Sequence, residues 1–249
     1  MKVGLFIPCF MDQFYPNAAM SCLELLEKLG VDVEYPQNQT CCGQPMANSG
    51  CQKDAKGAAE HFLEVFSKYD AVVAPSGSCV SMVKNHYHEV MDENEKLTQM
   101  SSKIYELSEF LVDVLKVNQL EATCHAKVGL HKACHGLREL RLGESSELAN
   151  SSCDSKPAQL LKLVQGIELV SLQREDECCG FGGTFAVAQD SVSCHMGKMK
   201  LEDFEQAQAE IVVSTDMSCL MHLSGLASRN NKSTKFVHLA EVLNGDCSK

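Results

Sequence analysis

The chain has 249 residues, 33 Asp+Glu against 22 Lys+Arg, a formal net charge of −11 and 14 cysteines. Such acidity repels a phosphate backbone, and no basic run with interleaved aromatics interrupts it, so nucleic acid is not an expected partner. The longest apolar stretches, such as Gly4 to Met11, fall far short of the ~20 residues that cross a bilayer, so no membrane span is expected.

In chain order, Lys2 to Pro8 reads as a buried strand, and Ala18 to Leu29 carries Ala, Met and Leu at helical spacing before a stop at Gly30. Val31 to Tyr35 reads as a second strand, Ala55 to Phe66 as a second amphipathic helix and Ala71 to Ala74 as a third strand. An apolar-periodic tail opens at Lys103, and then the pattern begins again. Lys127 to Lys132, Gly166 to Val170 and Ile211 to Val213 read as strands, Val192 to Gln206 as a helix, and the Ser-, Glu- and Asn-rich Gly143 to Lys156 as a solvated loop. The alternation predicts an α/β fold of mainly parallel sheets with helices on their faces.

The second pass copies the first at the level of residues. Lys2-Val-Gly-Leu-Phe-Ile-Pro-Cys9 aligns with Lys127-Val-Gly-Leu-His-Lys-Ala-Cys134, the doublet Cys41-Cys42-Gly43 with Cys178-Cys179-Gly180, and Ala71 to Cys79 with Ile211 to Cys219. Lys103 to Glu109 aligns with Lys235 to Glu241 in the same way. Two copies of this length make a pseudo-twofold pair of halves and not a solenoid, whose units run to roughly 20–50 residues. The expected division is residues 1–120 and 121–249, with the seam near Asn118 to Ala126.

Each half thus repeats four cysteines: Cys9, Cys41, Cys42 and Cys79, then Cys134, Cys178, Cys179 and Cys219. The single ones follow predicted strands, and loops leaving the carboxyl ends of parallel strands form the natural crevice of an open sheet. Four thiolates are the usual complement of an iron–sulfur cluster, so the expectation is one cluster per half, of the 4Fe-4S kind. Zinc is the alternative metal, although its usual paired C-x2-C knuckles are absent. A redox dithiol would want C-x-x-C spacing, and buried cysteines also serve as small hydrophobes. Cys22, Cys51, Cys124, Cys153, Cys194 and Cys247 have no counterpart and read as core or surface thiols. No charged leader opens the chain, so these thiols are expected to be reduced in a cytoplasmic setting, in a protein that folds without disulfides. His131, His135 and His222 lie beside the cysteine anchors, where an imidazole can ligate a metal, orient a ligand or act as a base. His86 and His88 are expected to face solvent.

At Cys41-Cys-Gly-Gln-Pro45, Pro75-Ser-Gly-Ser-Cys79, His131-Lys-Ala-Cys-His135, Cys178-Cys-Gly-Phe-Gly-Gly-Thr-Phe185 and Cys219-Leu-Met-His222, the chain resembles the cysteine-rich CCG-domain proteins, most closely the lactate utilization protein A family. The resemblance implies a cytoplasmic component of an NAD-independent system oxidising L-lactate to pyruvate, working with two companion lactate utilization proteins, one carrying ferredoxin-type clusters. The expected role of the two cysteine sets is to hold redox clusters that accept electrons from lactate oxidation and pass them to a partner. In the related heterodisulfide reductase subunit the repeats end in C-x-x-C and hold non-cubane clusters, whereas here they end in Cys79-Val-Ser-Met82 and Cys219-Leu-Met-His222, which leaves four thiolates per half. Two other functions fit the same residues: a zinc-stabilised, non-catalytic assembly module, and a subunit for another 2-hydroxy acid such as glycolate.

Overall fold

The computed structural model describes residues 1–145 and 155–247. Most of the expected loop Gly143 to Lys156, with Cys153, lies outside them. Two four-stranded sheets form the frame. The first holds β1 (Lys2–Leu5), β2 (Asp32–Glu34), β3 (Ala71–Ala74) and β4 (Ile104–Glu106) in the order β2-β1-β3-β4. The second holds β5 (Thr123–His131), β6 (Gln165–Leu169), β7 (Ile211–Ser214) and β8 (Lys235–His238) in the order β6-β5-β7-β8. Every pairing is parallel. The chain is an α/β protein of two similar halves. β3 and β7 are buried along their whole length, which is why they read as unbroken apolar runs and not as alternations.

Sequence periodicity gives three strands per half, and the structure adds a fourth. β4 and β8 are only three and four residues long and pass directly into the helices Leu107–Glu109 and Leu239–Leu243. Their pattern therefore merges with a helical one. The last residue of each strand caps the helix that follows: a Glu106 carboxylate oxygen accepts from the Ser108 N–H at 2.7 Å, and His238 Nδ1 accepts from the Ala240 N–H at 3.1 Å.

Glu106 and His238 occupy equivalent places, and both are fully buried. Burial pushes the Glu106 carboxyl up to about 8, against the hydrogen bonds from Ser108, and pushes the His238 imidazole down to about 4. The two act on stability in opposite senses. Glu106 destabilises the fold progressively as pH rises from the ordinary carboxylate range to about 8, because the unfolded chain ionises first. His238 destabilises it as pH falls from the ordinary imidazole range to about 4, because the unfolded chain protonates first. Of these two effects only that of Glu106 remains between about pH 6.5 and 8, where it lowers stability by about 1 kcal/mol per pH unit. The stability difference between the native chain and Glu106→Gln, read from urea midpoints across that window, is expected to change by this amount.

The helix Pro16–Lys28 opens with proline at its first position and buries Ala18, Ser21, Cys22, Leu25 and Leu26 along one face. That face meets the last helix, Leu239–Leu243, from the other half. One apolar core therefore runs through both halves, joining Leu25 and Leu26 to Phe110, Leu161, Val242 and Leu243. A second core is built from buried residues of the first half, where Phe62 packs against Phe6 at 4.9 Å, Phe66 at 4.6 Å and Tyr87 at 5.9 Å between ring centroids.

Cys124 and Cys247, expected as separate free thiols, are joined in a disulfide with their Cα atoms 5.7 Å apart. The segment after the last helix folds back along the start of β5, where Gly245 lies beside Ala122. The bond ties positions 123 residues apart in sequence. Limiting the unfolded chain over a loop of that length stabilises a fold by about 2–4 kcal/mol. Paired Cys124→Ala and Cys247→Ala substitution, or reduction with dithiothreitol, should lower the urea midpoint correspondingly. Equal midpoints for oxidised and reduced protein would remove the bond from the account.

Candidate metal centre

The loops that leave the carboxyl ends of the strands carry the repeated cysteines. Cys9 follows β1 at the start of the short helix Cys9–Phe14, and Cys79 follows β3 within Gly77–Ser81. Cys134 follows β5, and Cys219 follows β7 in the first turn of Met217–Arg229. The doublets lie on the loops after β2 and β6. Gly43 and Gly180 take left-handed backbone at φ +87° and +88°, and at Gly180 a Cβ would stand 2.6 Å from the Ser193 carbonyl. This turn aims the Gly180 N–H at Cys178 Sγ, 3.3 Å away.

The structure brings the sulfurs together. Cys9 Sγ lies 3.8 Å from Cys41 Sγ, and Cys42 Sγ lies 3.4 Å from Cys79 Sγ. In the second half Cys179 Sγ and Cys219 Sγ lie within 4.8 Å of each other. All eight cysteines line one cavity of about 120 Å³ between the halves. Within each set the first member of the doublet is the thiolate. Hydrogen bonds from Cys42 and Cys9 hold Cys41 down at about 3, and those from Cys134 and Cys179 hold Cys178 down at about 2. Sharing a proton with that thiolate, together with burial, raises Cys9, Cys42, Cys134 and Cys179 well above the usual thiol range. Each half thus presents one ready anionic sulfur beside thiols that would shed protons on binding a metal.

Other side chains hold these loops in place, and sequence reading missed them. Tyr87 donates its hydroxyl to the Cys42 carbonyl at 3.0 Å. Asp203, buried, accepts from the Gln173 and Arg174 N–H groups at 2.9 and 3.2 Å, while buried Lys200 donates to the Arg174 carbonyl and to Asp203. That cluster pins the run leading into Cys178. Asp216 reaches across the halves and accepts from Ser76 Oγ, Ser78 Oγ and the Ser78 N–H at 2.8, 2.8 and 2.9 Å. Ser76 in turn accepts from the Cys79 N–H.

The three histidines separate. His135 lines the cavity, with Nε2 3.5 Å from Gln44 Nε2 and 3.9 Å from Glu139. His222 lies behind the second doublet, its Nε2 3.4 Å from the Ser193 carbonyl, and burial lowers its basicity. His131 is 1% exposed, and neither ring nitrogen has a hydrogen-bond partner among the described residues. His86, expected in solvent, bridges Glu89 and Glu139 at 2.9 and 2.8 Å. Across the cavity the two halves touch in unlike ways. Phe10 meets Phe181 at 5.8 Å, whereas the equivalent residues, His135 and Gln44, form a polar pair. Four converging sulfurs per half and an unpartnered buried imidazole fit a thiophilic metal or an iron–sulfur centre.

The model of the cysteine-rich CCG domain matches residues 3–84 and 128–224. Lactate utilization protein A of Halalkalibacterium halodurans is 42% identical over 98% of this chain and 97% of its own. The Bacillus subtilis protein of that name is 40% identical over 98% of this chain and 99% of its own. The chain belongs to the lactate utilization protein A family. Each segment matched by the CCG model contains the complete cysteine set of its half, so the family's domain and the thiol geometry describe the same two units. A crystal structure of a hypothetical protein from Helicobacter pylori shares the fold, with a TM-score of 0.62 at 12% identity over 100% of this chain and 49% of that one. Among the described residues no helix is long and apolar enough to cross a membrane.

Proposed function

We propose that this chain is the iron–sulfur component of an NAD-independent L-lactate oxidation system, relaying electrons from lactate to a companion protein. The observation that carries this reading is the convergence of both cysteine sets on one cavity. Family membership supports lactate utilization as the setting. Cys9, Cys41, Cys42 and Cys79 would hold one 4Fe-4S cluster, and Cys134, Cys178, Cys179 and Cys219 the other. When bound, such clusters accept and release single electrons. The chain's own residues do the rest. Cys41 and Cys178 offer the first thiolates, the burial of Cys42, Cys79, Cys179 and Cys219 keeps water from the sulfurs, and His135, between Gln44 and Glu139, is placed to take a proton inside the cavity. On the same footing the chain divides into CCG repeats at residues 1–120 and 121–249, acts in the cytoplasm and docks two companion proteins, one with ferredoxin-type clusters.

Anaerobic purification followed by iron and acid-labile sulfide assays tests this. Near-equal iron and sulfide, at two four-iron clusters per chain, is the expected result, and a metal-free protein with eight titratable thiols would overturn it. One observation favours the second reading, a zinc-stabilised module: donor atoms of His131, Cys179 and Cys219 lie within 4.8 Å of one another, as a single ion would take them. Zinc in place of iron, with unfolding of Cys179→Ala, would select that reading.

A further inference from the structure

The alignment of the halves places Phe6 and His131 at one structural position, just before the loops of Cys9 and Cys134; β1 and β5 pair in the same register with β3 and β7. In the first half that position is wholly apolar. Phe6 is fully buried among Phe62 and Phe66. In the second half an imidazole occupies the slot, equally buried. Its neighbour Lys200 is already engaged with the Arg174 and Glu175 carbonyls and with Asp203. A buried polar atom without a partner costs about 1–3 kcal/mol. The first half shows that this position packs well with a hydrocarbon ring, so packing does not account for the imidazole.

The group that faces His131 is the thiol set: an imidazole nitrogen, Cys179 Sγ and Cys219 Sγ all lie within 4.8 Å of one another, and each of the three residues is buried. We infer that His131 is a nitrogen ligand to the metal centre of the second half, beside Cys179 and Cys219 and in place of one of the other two thiolates of that set, and that the first half's centre, with Phe6 in that place, has sulfur ligands alone. The two centres then differ in ligand chemistry. They would titrate at separate potentials, because a neutral imidazole and an anionic thiolate stabilise the oxidised iron to different extents.

This inference rests on the cluster reading above, and the experiment separates the two. Full-length protein labelled with ¹⁵N-histidine is purified anaerobically, assayed for iron and sulfide, reduced stepwise and examined by pulsed electron paramagnetic resonance. Strong nitrogen hyperfine coupling on one of two centres, lost in His131→Phe while the other centre is unchanged, is the expected result. His131→Cys should retain both centres and lower the potential of the affected one, since a thiolate adds negative charge at the iron. Loaded clusters with no strong histidine-nitrogen coupling overturn the assignment of His131 and leave the cluster reading standing. Protein without iron or sulfide overturns both. The unsubstituted protein decides the first of these outcomes, so the result does not depend on whether a variant folds.

Discussion

Cys178→Ser is expected to halve the iron and labile sulfide of anaerobically purified protein, Cys41→Ser to do the same through the other half, and the pair together to abolish both. Each is the one sulfur of its set that its neighbours hold as a thiolate, Cys178 through Cys134, Cys179 and the Gly180 N–H, and Cys41 through Cys42 and Cys9. A serine hydroxyl, far less acidic, supplies no comparable anion and no soft donor. Lactate-dependent reduction of the companion protein should fall to background in all three variants, since a relay with one centre missing is broken. The folded state should persist in the single variants, because Cys41 and Cys178 are only half-buried. Near-ultraviolet circular dichroism alongside the metal assay checks this; unchanged metal in Cys178→Ser would mean that the second set is not a ligand set.

The second large effect concerns the junction of the halves. Asp216→Ala should destabilise the protein by about 3 kcal/mol, because it strips the acceptor from two serine hydroxyls and one backbone N–H around a buried carboxylate. Asp216→Asn keeps one acceptor oxygen and should lose less than half as much. Since Leu25, Leu26, Val242 and Leu243 share one core across the halves, the loss should appear as a lower midpoint of a single urea transition. A split into two transitions would show that the halves unfold independently.

The frame of this protein is written plainly in its chain, and its polar interior is not. Apolar strand runs such as those of β1, β3 and β7, helices with an uninterrupted stripe and the duplicated cysteines all announce themselves locally. β4 and β8 do not, because each runs without a break into a helix whose period absorbs its pattern. Cys124 and Cys247 lack any repeat partner, so nothing in one dimension pairs them. Lys200 and Asp216 look like the surface charges that most helices carry, and only tertiary packing buries them. One overlooked signal was available: aligning the two copies sets His131 against Phe6, and a polar residue appearing where its duplicate is aromatic marks a place where the copies have taken up different work.

Ser76 and Asp216 are themselves equivalent positions in the two copies, and they are bonded to each other. Residues related by a twofold axis can touch only where that axis passes, so this bond sits on it. In a homodimer of single-copy ancestors the same residue would face itself there. Two aspartates would bring like carboxylates into contact out of reach of water, and two serines would leave the neighbouring hydroxyl and N–H groups no anionic acceptor. The donor–acceptor match seen at this point is open only to copies that can mutate separately, and it gives the two unlike halves a thermodynamic advantage over assembly from identical subunits.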